Sequence, residues 1–158
     1  PVDEILPELL DVLADHPVVV LEAPPGAGKT TRVPPALLQL PDLGHQKIVM
    51  LEPRRIAAIG AADYMARQIG EEVGGSVGYT IRYERKVTSS TRIEVVTEGV
   101  LTRRLQSDPE LNGIGVVIFD EFHERNLHSD LALALCLDAQ KGLRPDLKIV
   151  IMSATLER

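Results

Sequence analysis

Six short apolar runs recur along the chain, and nearly every one ends in polar residues of an unusual kind. They read VVVLEA (18–23), KIVMLE (47–52), VGYTIR (77–82), RIEVVT (92–97), GVVIFD (115–120) and LKIVIMS (147–153). A brief unbroken apolar run suits a strand covered on both faces. Segments of helical period lie near 5–14, 29–40, 56–72, 98–107 and 127–141. Such alternation constrains the chain to an α/β fold: a mostly parallel sheet, helices on both faces and right-handed crossovers. The stretch between 82 and 92 is too short for a crossover helix, so the strands it joins are expected to be antiparallel or not neighbours.

The residues just past each strand matter as much as the strands. PPGAGKT comes after the first, PRR after the second, TEG after the fourth, DEFHER after the fifth and SAT after the sixth. Open α/β sheets bind ligands outside the carboxyl ends of their strands, so these groups are expected on one rim.

Composition narrows the function classes. A length of 158 residues suits one domain over 1–158 with a real core. No apolar run approaches the roughly 20 residues that span a bilayer, so no membrane is expected. The first residues lack the basic start and apolar middle of a secretion signal. Cys136 is the one cysteine, which excludes an internal disulfide and fits a reducing, cytoplasmic setting. Its surroundings, LALALCLDA, are those of a core helix. A net charge of −6 means that any nucleic-acid binding must come from a local basic patch. Three Tyr, two Phe and no Trp argue against recognition by base stacking.

APPGAGKTT (23–31) sits between a strand and a helix start, where a phosphate-binding P-loop belongs. Successive backbone N–H groups of Gly26, Ala27, Gly28, Lys29, Thr30 and Thr31 would face an anion at the helix N-terminus. Lys29 would reach the β- and γ-phosphates of a nucleoside triphosphate, and the Thr30 hydroxyl would bind Mg²⁺. The strict pattern begins with glycine, whereas this chain has Ala23. The plainer reading is a glycine-rich turn with an exposed lysine. In VVIFDEFHER (116–125), a core strand ends in the adjacent carboxylates of Asp120 and Glu121, a costly arrangement unless something positive waits there. Beside a P-loop, Asp120 suits Mg²⁺ and Glu121 suits activation of the attacking water. HERNLH resembles a zinc H-E-x-x-H, but His128 is one residue late.

GAGKTT, PRRIAA, GYTIRYE, TEGVLTRRL, DEFHER and SAT succeed one another in the order and rough spacing of the first RecA-like domain of DEAH-type superfamily 2 helicases, which the chain resembles. LEPRR and DEFHER look most like the bacterial HrpB-like branch of that family, and the match covers about residues 16–156. The resemblance implies a RecA-like P-loop NTPase domain that uses ATP or another NTP with Mg²⁺. It implies nucleotide binding by Lys29 and Thr30, and an Mg²⁺ and water-activating pair in Asp120 and Glu121. It further implies that His123, Ser153 and Thr155 link nucleotide state to nucleic-acid grip. Arg54, Arg55, Arg82 and Thr97 fall where family members hold the sugar–phosphate backbone, here expected to be single-stranded RNA, with DNA as the alternative.

These positions also make physical sense, since Arg and Lys grip phosphate without reading sequence. Arg82, Arg85, Lys86, Arg92, Arg103 and Arg104 give residues 82–104 a basic bias. Family members often place an arginine against adenine where this chain has Tyr64, which could stack in its place or leave the base loosely held. The second RecA-like domain, source of the arginine fingers, is expected elsewhere in a longer, monomeric parent chain. The rivals are a self-contained P-loop NTPase or kinase, and a nucleic-acid-binding module without catalysis. Neither accounts for the whole set of strand-end motifs.

Overall fold

The computed structural model describes residues 2–24, 28–122 and 127–154, without the side chains of 127–129 and 154. Gly26, Ala27, His123 and Thr155 therefore lie outside the described residues. The strands are β1 (Val18–Ala23), β2 (Lys47–Leu51), β3 (Val77–Ile81), β4 (Glu84–Lys86), β5 (Ile93–Val96), β6 (Ile114–Phe119) and β7 (Lys148–Ala154). They form one sheet in the order β1-β7-β6-β2-β5-β3-β4, parallel throughout except for the β3–β4 pair. The helices are α1 (Leu6–Asp15), α2 (Lys29–Leu37), α3 (Arg55–Gln68), α4 (Glu98–Ser107) and α5 (Leu127–Gly142).

Successive strand residues point to opposite faces, and the sheet divides accordingly. Ile48, Met50, Val116, Ile118, Val150 and Met152 pack against the apolar sides of α1, α2 and α3. Val49, Leu51, Val117, Phe119 and Ile149 pack against α4 and α5. Each central strand is thus buried on both faces, which is why its sequence shows no apolar–polar alternation. Cys136 lies fully buried in the second of these cores, and burial pushes its thiol up to about 12.

Three local expectations change. Helix α2 stops at Leu37 rather than 40, and the next turns close by bonds of the i, i+3 type, from Leu38 to Pro35 and Gln39 to Ala36. Helix α3 stops at Gln68 rather than 72. Gly70 there adopts φ +73, while its N–H reaches Arg67 O at 3.0 Å and that of Glu71 reaches Ala66 O at 3.0 Å. That is a Schellman ending, which glycine at this position makes inexpensive.

The third change concerns residues 82–92. β3 and β5 are neighbours and parallel, contrary to expectation. No crossover helix is needed because β4 carries the chain back antiparallel on the outer side of β3. The chain then passes the start of β3 to its inner side, where Thr91 Oγ1 donates to Gly75 O at 2.7 Å and Arg92 N to Ser76 O at 2.8 Å. A three-residue strand with the sequence ERK carries no apolar signal, so β4 is invisible to periodicity.

One buried acid ties this side of the sheet together. Glu94 on β5 is 1% exposed and accepts from Lys47 Nζ at 3.1 Å, Thr80 Oγ1 at 2.6 Å, and two guanidinium nitrogens of Arg104 at 3.0 and 2.8 Å. Burial alone would raise its pKa. Hydrogen bonds from Arg104 and Thr80, with the charges of Arg104 and Lys47, outweigh that and hold it at about 2. A depressed acid stabilises the fold above its unfolded value near 4.5, and that contribution is lost as pH falls toward 2. Glu94→Gln is expected to cost about 3 kcal/mol at neutral pH, because it strands two cations against a neutral amide. Urea unfolding should show the gap between variant and wild type closing as pH drops from 4.5 to 2.

Candidate active site

Thr30, in the first turn of α2, donates from Oγ1 to Asp120 Oδ2 at 2.8 Å, across 90 residues of sequence. Two features of the fold produce this contact. Gly28, at φ +86, turns the chain from the loop after β1 directly into α2. On the other side, Asp120 directly succeeds β6 and its N–H reaches Leu51 O at 3.1 Å, so the carboxylate is held at the strand end. Lys29 is 8% exposed, with Nζ at a long 3.5 Å from Ala23 O. Thr31 lies half-buried beside them on α2. Phe122 N donates to Met152 O at 3.0 Å and its ring meets Phe119 edge-on at 6.5 Å, which anchors the chain beyond Glu121 to β7. Ser153 is next to Met152 on the same strand, half-buried and in register with Glu22 of β1.

A third acid joins the pair read from sequence. Leu51 and Phe119 are paired in register, so the residues just beyond them, Glu52 and Asp120, end adjacent strands side by side. Glu52 is 2% exposed. Burial lifts its carboxyl from 4.5 to about 10, reinforced by hydrogen bonding with Asp120 and by the charges of Asp120 and Glu121. Glu52 therefore carries a proton at neutral pH, which supplies a donor among groups that otherwise only accept. The sequence does hold a signal for it. An apolar strand ends in an acid at Glu52 as it does at Asp120, but within LEPRR the two arginines overshadow the carboxylate.

The donor set fits a hard divalent cation. Asp120 Oδ1 is buried with no partner among the described residues, and the Thr30 hydroxyl stands beside the same carboxylate. Among the described residues no three His, Cys, Asp or Glu converge as a metal cage. Mg²⁺ needs none, because it binds through one or two protein oxygens with waters and substrate phosphates.

The other rim residues divide into two groups. Arg54 is the N-cap residue of α3 and places Nη2 3.1 and 3.3 Å from the two carboxylate oxygens of Glu121. Thr97 is the N-cap residue of α4, and its hydroxyl makes no capping bond. Arg55 lies 3.8 Å from Glu84 of β4, and Arg82 stacks over the Tyr83 ring at 4.8 Å in the β3–β4 turn. Tyr64 stands half-exposed in the third turn of α3, without a ring contact among the described residues. The basic stretch 82–104 is not one surface. Arg104 is engaged by Glu94, and Arg92 donates to Gly44 O at 2.8 Å and to Gln46 O, at the strand starts rather than the rim.

A protein-family model described as DEAD/DEAH box helicase matches residues 3–158. The chain belongs to that family. It is 57% identical over 157 residues to the ATP-dependent RNA helicase HrpB of Escherichia coli, covering 99% of this chain and 19% of that protein. It is 40% identical to the ATP-dependent RNA helicase HrpA of Borreliella burgdorferi, again over 99% of this chain and 19% of the relative. The crystal structure of E. coli DEAH/RHA helicase HrpB matches with a TM-score of 0.94 at 56% identity, covering all of this chain and 20% of that one. The RecA-like fold is thereby established, and this helicase-family chain spans about a fifth of the length of the relatives it matches.

The buried acid cluster has a measurable consequence. Between pH 4.5 and about 10 the folded chain holds a proton on Glu52 that the unfolded chain has released, so stability declines as pH rises through that window. Glu52→Gln removes the titrating group and keeps a donor. It is expected to gain about 1–3 kcal/mol over wild type at pH 8.5 in urea unfolding, with little difference at pH 5.

Proposed function

We propose that this chain is the nucleotide-binding half of an ATP-driven motor that moves on, or unwinds, single-stranded or duplex RNA. The observation that carries the reading is the Thr30–Asp120 hydrogen bond at 2.8 Å, which joins a P-loop hydroxyl to a core-strand carboxylate. Lys29 binds the β- and γ-phosphates, with the backbone N–H groups at the start of α2 facing them. Thr30 and Asp120 hold Mg²⁺, which when bound neutralises charge on the transferring phosphoryl group. Glu121 orients the attacking water and accepts its proton. Tyr64 stands where family members place an arginine against the base.

Arg54, Arg55, Arg82 and Thr97 hold the sugar–phosphate backbone, so that movement is independent of sequence. Ser153, with His123 and Thr155, connects the nucleotide to that grip. The names of the relatives favour RNA. The rest of a longer parent protein supplies a second RecA-like domain whose arginines complete the site. The parent is a cytoplasmic monomer on this reading.

Two assays test it. In the full-length parent, Glu121→Gln should keep nucleotide affinity while hydrolysis falls by roughly 10²–10⁴. Hydrolysis that survives the change would remove Glu121 as the base. The isolated chain should bind nucleotide yet release phosphate far more slowly than the parent, since an arginine finger contributes about 10³–10⁵. Vigorous turnover by the isolated chain would sink the divided site.

A further inference from the structure

On the reading above Arg54 serves nucleic acid and Glu121 serves water, yet the two side chains grip each other. Arg54 Nη2 lies 3.1 Å from Glu121 Oε1 and 3.3 Å from Oε2. The guanidinium is 71% exposed and the carboxylate 39%, so the pair sits at the surface of the rim. We propose that this ion pair is a switch: a backbone phosphate that takes Arg54 releases Glu121 to the nucleotide. The inference rests on the function proposed above.

Three features support it. First, Glu121 is a single residue strung between two fixed points. Asp120 N is held by Leu51 O at 3.1 Å and Phe122 N by Met152 O at 3.0 Å. With both neighbours tethered, the change of partner falls to the side chain. Second, Glu121 adopts φ +52, a left-handed conformation that a residue with a Cβ rarely takes. Such an outlier at a strand end, next to Asp120, is the kind of local strain that marks a switching element. Third, the exchange is between equals. An exposed ion pair biases a side chain by a factor of only about 2–5, and a phosphodiester is as good a partner for a guanidinium as a carboxylate. The lock is strong enough to matter and weak enough to open.

The neighbours of Arg54 narrow the role further. Arg55 pairs elsewhere, with Glu84 at 3.8 Å, so Glu121 has Arg54 as its cationic partner among the described residues. Lys29 is buried, with Nζ 3.5 Å from Ala23 O. A released Glu121 is drawn to that side of the rim, where Thr30 and Asp120 stand.

The test uses the full-length parent protein, with phosphate release measured with and without a uridine homopolymer. Arg54→Gln should raise kcat without RNA by roughly 2–5-fold at unchanged KM for ATP, and abolish further stimulation by the homopolymer. Arg54→Lys, which keeps the charge but loses the fork, should retain part of both the lock and the stimulation. Added KCl should raise the RNA-free rate of wild type relative to Arg54→Gln, because salt loosens an exposed pair. The double variant Arg54→Gln/Glu121→Gln should be no faster than Glu121→Gln alone.

An RNA-free rate that is unchanged in Arg54→Gln reduces Arg54 to a simple phosphate contact, and a lowered rate makes it a support for Glu121; either overturns the switch. A gain that persists in the double variant overturns it as well. Those failures leave the motor reading standing as long as wild type responds to RNA and Glu121→Gln is inactive. If wild type ignores RNA and Glu121→Gln hydrolyses normally, both proposals fall together.

Discussion

Because β1, β7, β6, β2, β5 and β3 run parallel, their carboxyl ends share one edge of the sheet, and the chemistry of the chain collects there. Parallel pairing fixes more than direction. The register that sets Leu51 opposite Phe119 also sets Glu52 beside Asp120, and the sheet order puts the loop after β1 within reach of the end of β6 across β7. Thr30 and Asp120 then meet at 2.8 Å although neither helix nor strand propensity says anything about the pair. A slip of one residue in β6 would turn Asp120 to the other face and dissolve the site.

Two buried acids in the same sheet show how differently such groups can be handled. Glu94 is surrounded by Arg104, Lys47 and Thr80, stays ionised, and holds strands and a helix together. Asp120 has the Thr30 hydroxyl, but among the described residues no ion pair reaches it or Glu52. Each has a buried oxygen without a partner among the described residues, and Glu52 answers the crowding by keeping its proton. The first arrangement is complete within the chain. The second leaves two buried carboxylate oxygens without a partner among the described residues.

Much of this is legible in the sequence. The β1, β2, β3, β5, β6 and β7 strands appear as apolar runs because they are covered on both faces, and their boundaries shift by only a residue or two. Lys29, Thr30, Asp120 and Glu121 stand out by their chemistry at strand ends, and Gly70 carries a signal for the end of α3 that helical periodicity overruns. The rest is hidden for physical reasons. β4 is three polar residues, so ERK carries no apolar pattern. Glu52 depends on register between separate strands, and the fate of Arg92 and Arg104 depends on partners at Gly44 and Glu94. A linear charge count cannot tell a cation facing solvent from one already spent inside the fold.

The end of β4 lies so close to Gly78 that a Cβ there would collide with the Lys86 carbonyl and come within 2.8 Å of Val87 Cγ1. Backbone in that position cannot swing aside as a flexible side chain would. The ribbon bearing Arg82 and Tyr83 is thus riveted at its base and free only at its tip. A load on that tip would pass into the sheet instead of being absorbed by bending.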